Sequence, residues 1–317
     1  MNIDDLLLQV ESYIRLRRAL GHVIASEEKE LKNFINFFSE QGGSGPIRAQ
    51  IAVDWACLPS PKRGPGGQFR RLKIVRGFLS HLRAAIPETE VPSSGLLLRP
   101  PRPTPYIYSQ QEIERLIEAA SLLGPQGSLR PHTFATILGL IASAGLRAGE
   151  ALRLTVRSVR LDVEPAHLEI LKTKFRKSRL VPLHSTTAEK LRLYALERNR
   201  LGYDGRTDAF FVSEQRGFLS YSSLLRGFSQ LRQAAQISCD NQRGNPCIQA
   251  LRHTFAVGRL LEWYRSGLNV KDLLPHLSIY MGHVRPAHTY WYLTATPELL
   301  AVAGECFQKF AGQGGEQ

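Results

Sequence analysis

The chain has 317 residues, 43% of them hydrophobic, which is enough for two domains with separate cores. Its 41 Lys and Arg against 28 Asp and Glu give a formal net charge of +13, which favours a polyanionic partner. No stretch reaches the roughly 18 apolar residues of a membrane span, the acidic N-terminus is unlike a signal peptide, and the cysteines have neither metal-ligand nor disulfide-framework spacing.

The first 92 residues are typical of helices separated by turns. Apolar residues recur at helical spacing in 6–20, and Ser26 followed by acidic residues predicts the start of a second helix. A glycine-rich break at 42–46 ends it, 49–58 predicts a third helix, and 69–82 predicts a fourth after the Pro/Gly-rich loop 59–67. The fourth helix carries basic side chains around an apolar stripe, either a solvated face or a DNA-facing surface: Arg70, Arg71, Lys73 and Arg76.

The stiff cationic run RPPRPTP predicts a linker at 93–108. Ser109 and Glu112 form a capping box that predicts a helix start, and 132–144 predicts an apolar core helix. Short strands are predicted at 156–163, 167–172 and 179–183, with helices returning at 187–201. We therefore expect a mainly α chain with a small β-sheet (α+β), divided into a helical domain 1–92, a linker 93–108, a second domain 109–302 and a tail 303–317.

Four short segments carry residues suited to phosphate chemistry. They are AGLRAGEALRL at 144–154, KTKFRKSRLVPL at 172–183, QALRHTFA at 249–256 and GHVRPAHTYWYL at 282–293. Two arginines can neutralise the charge that grows on a phosphate under attack, and a tyrosine phenol can be the attacking group once cations surround it. The first and third segments supply arginines, and the last supplies histidines and two tyrosines.

Taken in this order, the four segments resemble the tyrosine recombinase family, also called phage-type integrases, from about residue 105 to 300. Residues 1–92 are similar to that family's core-binding, DNA-binding domain only in size and helical character. The resemblance implies a site-specific recombinase that cuts and rejoins double-stranded DNA through a 3′-phosphotyrosine intermediate. It further implies no metal or cofactor, no membrane, a homo- or hetero-tetramer on two synapsed sites, and a cytoplasmic, nucleoid-associated location. The fourth segment ends in TYWYL, at 289–293, and this ending is loosely similar to recombinases of mobile elements.

The resemblance also implies a role for each site residue. Arg147 and Arg252 would clamp the phosphate, and Glu150 would brace the site. Tyr292 would be the nucleophile, with Tyr290 as the alternative, and His283 would donate a hydrogen bond to a non-bridging oxygen.

The resemblance also implies that the basic turn between the predicted strands carries a general acid for the departing 5′ oxygen. Lys174 is the position selected by the RLVPL ending, and Lys172 and Lys177 compete with it because the family's glycines are missing there. Without the resemblance, this segment is a basic hairpin that contacts phosphates through Lys172, Arg176 and Lys177.

One residue departs from the family pattern. Gln249 stands where the family has a histidine, three residues before the second arginine, and an amide cannot shuttle a proton at neutral pH. His253, directly after the arginine, is expected to support packing. This departure favours one alternative, a catalytically impaired DNA-binding accessory subunit. A second alternative is a type IB-like topoisomerase, which has the same nicking chemistry but no strand exchange.

Overall fold

The structure is a computed structural model, and it describes residues 2–22, 24, 26–59, 64–125, 127–171, 178–215, 217–239, 244–294, 299–302 and 304. The chain forms two compact units, Met1–Arg102 and Pro103–Gln317, each with its own core. Helices dominate both units and the described strands form one small sheet, so the mainly α class with a small β-sheet is confirmed. In the part of the chain that is described, no helix is long and apolar enough to cross a membrane.

The first unit is a bundle of helices around an aromatic core. Phe34, Trp55 and Phe78 are buried at its centre, and the first two rings meet edge to face. Its last helix starts earlier than its sequence predicted, because proline fits the first turn of a helix, where its missing N–H is not needed. The helices are α1 Ile3–Ala19, α2 Glu27–Glu40, α3 Ala49–Cys57 and α4 Pro65–Leu82.

One of the basic residues of α4 does not lie on the surface. Arg71 is 5% exposed, its guanidinium carbon lies 3.7 Å from the centre of the Trp55 ring, and its Nε lies 3.7 Å from Glu30 Oε2. The helix turns position 71 toward the core, next to the buried Leu72. The expectation that Arg71 faces DNA is therefore corrected, whereas Arg70 and Lys73 are exposed and Arg76 is partly exposed.

The second unit begins with the predicted capping box, which is confirmed: the Ser109 hydroxyl accepts from the Glu112 N–H, and the Glu112 carboxylate accepts from the Ser109 N–H. The elements that follow are α5 Gln110–Ala119, α6 Arg130–Ala144, α7 Ala148–Ala151, β1 Val159–Arg160, β2 His167–Ile170, β3 Arg179–Pro182, α8 Ser185–Arg200, α9 Tyr221–Ala234, α10 Ile248–Arg265, α11 Val270–Met281 and α12 Ala287–Tyr290. A 3-10 turn, Trp291–Thr294, continues from α12.

The sheet is antiparallel, in the order β1-β2-β3. Leu168 on β2 pairs with Val159 on one side and with Val181 on the other. The first strand is shorter than predicted, because residues 156–158 form a 3-10 turn in which the Thr155 hydroxyl accepts from the Ser158 N–H. The pairing places the start of β3 opposite the end of β2.

The core of the second unit is organised around α6. This apolar helix is largely buried and contacts α5, α8 and α10. Next to it, α10 and α11 form a second cluster that also contains Tyr292 and Leu299. As a result, the C-terminal end of α6, the first half of α10, the C-terminal end of α11 and the turn at Tyr292 come together on one side of this unit.

Candidate active site

Glu150, on the short helix α7, lies among three arginines that come from distant parts of the chain. Arg147 donates from Nη1 to Oε1 at 2.8 Å. Arg179, the first residue of β3, donates from Nη1 and Nη2 to the two carboxylate oxygens at 3.1 and 2.9 Å. Arg252, on α10, has its Nη1 4.0 Å from Oε2. We call these four residues the guanidinium cluster.

The carboxylate is held in its charged form. Burial would by itself raise the pKa of Glu150, but the hydrogen bond and charge of Arg179, the Arg147 N–H and the Arg147 charge together lower that pKa to about 2. Glu150 therefore stays ionised at neutral pH and offsets part of the positive charge around it.

The C-terminal end of α11 holds the same three arginines. The consecutive carbonyls of residues 280, 281 and 282 accept hydrogen bonds from Arg179 Nε, Arg252 Nη2 and Arg147 Nη2, at 2.8, 2.7 and 3.0 Å. The last carbonyls of a helix have no partner inside the helix and form its negative end, so they suit guanidinium donors. This helix end thereby fixes the spacing of three cations.

Two glycines make this arrangement possible. Gly145 and Gly282 end α6 and α11 with left-handed φ values of 61° and 67°. A Cβ at Gly145 would overlap the Phe255 ring, and one at Gly282 would lie 2.6 Å from Arg179 Nη1. The Gly145 carbonyl also accepts from Arg252 Nη1 at 2.6 Å, so both helix ends supply acceptors to the cluster.

The two arginines that the sequence assigns to the phosphate differ in access. Arg252 is 1% exposed, while 35% of the Arg147 side chain is exposed. Burial, followed by the positive charge of Arg147, lowers the pKa of Arg252 to about 10, although the charges of Tyr292 and Glu150 act in the opposite direction. Arg252 therefore still carries its charge at neutral pH.

The tyrosine assigned as nucleophile lies beside two histidines. Tyr292 is 1% exposed, and its Oη lies 2.8 Å from Nδ1 of His253. The His283 ring stacks on it with centroids 6.2 Å apart and an interplanar angle of 18°, and its Nδ1 lies 2.7 Å from the Thr289 hydroxyl. The alternative, Tyr290, is 50% exposed.

The structure thus brings several of the predicted residues into one region: Arg147, Glu150, Arg252, His283 and Tyr292. Gln249 is exposed in the first turn of α10. Lys172, Lys174, Arg176 and Lys177 lie outside the described residues. Within the described ranges, no three His, Cys, Asp or Glu side chains group so as to hold a metal ion.

The sequence did not predict that Arg179 and His253 belong to this site. Arg179 and the buried Val181 share a face of β3, because side chains alternate along a strand. An arginine on the inward face of a strand needs a carboxylate partner. The alternation of side chains along β3 is therefore the sequence feature that predicts a buried partner for Arg179. His253 was expected only to pack, and no local pattern indicates its contact with Tyr292.

The buried Tyr292 phenol interacts electrostatically with the charged Arg252, an arrangement suited to attack on a phosphodiester, and this site on this fold is typical of a tyrosine recombinase. Residues 107–298 match the Phage integrase family, and the chain belongs to that family. It is a tyrosine-type site-specific recombinase, an enzyme that breaks and rejoins DNA strands.

Named relatives cover most of the chain. It is 37% identical over 299 residues to integrase/recombinase y4rB of Sinorhizobium fredii, with 93% of this chain and 94% of that protein covered. It is 32% identical over 266 residues to tyrosine recombinase XerD of Caulobacter vibrioides, with 83% and 85% covered.

Solved structures show the same fold at lower identity. XerH recombinase bound to a palindromic difH substrate, in its post-cleavage complex, matches with a TM-score of 0.70 at 16% identity, covering 96% of this chain and 97% of that one. The Tn1549 transposon integrase in complex with transposon right end DNA matches with a TM-score of 0.62 at 14% identity, covering 96% and 99%.

Proposed function

We propose that Tyr292 attacks a scissile phosphate of double-stranded DNA and becomes joined to its 3′ side, releasing a 5′-hydroxyl. The covalent bond keeps the energy of the phosphodiester, so a 5′-hydroxyl from a partner duplex can restore the strand without ATP. The observation that carries this proposal is the convergence of Arg147, Arg252, His283 and Tyr292 from segments far apart in the sequence.

Each charged residue has a part in this reaction. Arg147 and Arg252 neutralise the charge that develops on the phosphorane, and preorganised donors of this kind contribute about 3–4 kcal/mol each when tested by removal. Glu150 holds the two arginines in place. His283 donates to a non-bridging oxygen, and Lys174 protonates the departing 5′ oxygen.

Access to the site is not equal for all of these groups. Tyr292 and Arg252 are each 1% exposed, so a phosphate reaches them only after the side chains that cover them open. Arg147, with 35% of its side chain exposed, is the cation that DNA meets first. Arg70, Lys73 and Arg76 of the first unit add sequence-independent contacts to the DNA backbone.

The biological setting is also part of the proposal. The relative from Sinorhizobium fredii is named an integrase/recombinase, and one structural neighbour is a transposon integrase bound to transposon end DNA. These names, together with the TYWYL ending, support a recombinase of a mobile element. We further propose a tetramer on two synapsed DNA sites.

A second function is favoured by one observation. Gln249 occupies the family's histidine position, and an amide cannot take up a proton. This substitution favours an accessory subunit that binds DNA beside an active relative without cutting it.

Covalent trapping tests the nucleophile. The protein is incubated with nicked suicide duplexes built from the DNA that flanks its own gene, and a DNA-linked band is sought on denaturing gels. We expect the band to map to Tyr292 and to vanish in Tyr292→Phe, while the matched variant Tyr290→Phe keeps it. A band that persists in Tyr292→Phe and vanishes in Tyr290→Phe would overturn the assignment.

The same assay separates the alternatives. Tight binding of the duplex without any band in the wild-type protein would support the accessory function. Relaxation of any supercoiled plasmid, without a special site, would support the topoisomerase.

A further inference from the structure

His253 is the histidine whose ring nitrogen meets the phenol of Tyr292. Its Nδ1 lies 2.8 Å from Oη, a hydrogen-bond distance, and the two rings are 5.5 Å apart with an angle of 53°. The ring is also 5.7 Å from Trp291, edge to face. Because His253 directly follows Arg252 on α10, the same helix positions the imidazole and the buried guanidinium.

The attack on phosphorus requires that the phenol lose a proton. A free phenol gives up its proton only near pH ~10, whereas a free imidazole takes up a proton near pH ~6.5, so imidazole is the side chain suited to accept it at neutral pH. Gln249 cannot do so, and it is exposed at the start of α10. His283 has its Nδ1 turned to the Thr289 hydroxyl.

We infer that His253 is a catalytic residue of this enzyme, the group that accepts the Tyr292 proton in place of the histidine missing at position 249. This inference rests on the proposed role of Tyr292 as nucleophile. It requires the tautomer in which Nδ1 carries no hydrogen, so that Oη donates to it.

The Tyr292 hydroxyl proton moves to His253 Nδ1 and forms an imidazolium. The phenolate oxygen forms a bond to phosphorus, the bond from phosphorus to the 5′ oxygen breaks, and that oxygen takes its proton from Lys174. In rejoining, a 5′-hydroxyl gives its proton back to the lysine, attacks phosphorus, and the departing phenolate recovers its proton from His253.

Two substitutions separate proton transfer from packing. In His253→Asn the amide oxygen can still accept a hydrogen bond close to the Nδ1 position, but it has no affinity for a proton at neutral pH. His253→Ala removes both properties. His276→Asn is the matched control, because His276 is exposed on α11 and has no part in the proposed chemistry.

The measurement is the single-turnover rate of adduct formation on the suicide duplex, with the Kd for intact duplex and the thermal unfolding midpoint measured on the same proteins. We expect His253→Asn and His253→Ala both to lose roughly 100-fold or more in rate, the scale of general base catalysis. The Kd should stay within about twofold, since a lost proton acceptor does not change phosphate contacts. His276→Asn should match the wild-type protein.

Several results would overturn the inference. If His253→Asn cuts at the wild-type rate while His253→Ala does not, the histidine only holds the tyrosine by a hydrogen bond. If either variant cuts faster than the wild-type protein, His253 restrains Tyr292 instead of activating it. Failure of the wild-type protein to form an adduct would remove the proposed function as well, so the two failures are distinguishable.

Discussion

Two regions of this molecule bury an arginine beside a glutamate, and they do so differently. In the first unit, Arg71 covers the Trp55 ring at 3.7 Å and its Nε stays 3.7 Å from Glu30, beyond hydrogen-bond distance. In the guanidinium cluster, Arg147 and Arg179 bond Glu150 directly at 2.8–3.1 Å. One arginine packs on an aromatic ring, and the others are fixed by charge and by helix-end carbonyls.

Buried charge that serves packing therefore differs from buried charge that marks a functional site. A buried arginine that packs on an aromatic ring belongs to the core of its own bundle of helices and helps to hold that bundle together. The guanidinium cluster instead draws cations from α10, β3 and the start of α7 to one place, which packing alone does not require. Convergence of like charges at one point has an energetic cost, and it is typical of a functional site.

The largest expected effect comes from removing the central carboxylate. Glu150→Ala leaves buried arginines without their counter-charge, which costs about 3–5 kcal/mol in the free energy of unfolding. Glu30→Ala, the matched change in the first unit, should cost about 1 kcal/mol or less, because its side chain is 21% exposed and its Oε2 lies 3.7 Å from Arg71 Nε. Urea unfolding with hydrogen exchange, resolved for each unit, measures both. Equal losses would remove the distinction drawn between the two regions.

Acid should weaken the second unit through Glu150. Its pKa is lowered from 4.5 to about 2 on folding, so its contribution is complete above pH 4.5 and is lost as pH falls toward 2. The shift corresponds to about 3 kcal/mol, as an order of magnitude. We expect the unfolding free energy of the wild-type protein to fall more steeply over this window than that of Glu150→Gln. If the unfolding free energies of the two proteins fall in parallel as the pH is lowered, Glu150 is not the group responsible for the loss.

Arginine geometry in the cluster should matter beyond its charge. Arg147→Lys keeps the charge but cannot donate to Glu150 and to the 282 carbonyl as a planar fork does, so the rate of adduct formation should fall by about 100-fold. Arg71→Lys should leave this rate unchanged, since Arg71 packs in the other unit. Suicide-duplex kinetics compares the two, and a similar rate loss in both would argue against a specific role for Arg147.

The smallest effect concerns the surface of α4. Lys73→Ala should raise the Kd for any duplex a few-fold and reduce the slope of log Kd against log salt by about one, as expected for one lost phosphate contact. Arg71→Met should leave that slope unchanged because Arg71 is buried. Fluorescence anisotropy over a series of salt concentrations measures both slopes. An unchanged slope in Lys73→Ala would show that this helix face is only solvated.

Interactions between near neighbours were predictable from the sequence. The sequence predicts the capping box of Ser109 and Glu112, which is present, and Arg147 bonds Glu150 only three residues along the chain. The first strand shows the limit of this reasoning. Residues 156–158 have a β-like sequence, but the Thr155 hydroxyl accepts a hydrogen bond from the Ser158 N–H and stabilises a 3-10 turn there. The strand is therefore limited to Val159–Arg160.

Helical character, most helix positions and the basic charge can be read from the sequence alone, because they depend on residues within about one turn of each other or on composition. The contact of Arg179 with Glu150, the burial of Arg71 and the contact of His253 with Tyr292 require the folded chain. These contacts join residues 16 to 39 positions apart in the chain. They depend on how the helices and strands pack within each unit, and no local spacing encodes that packing.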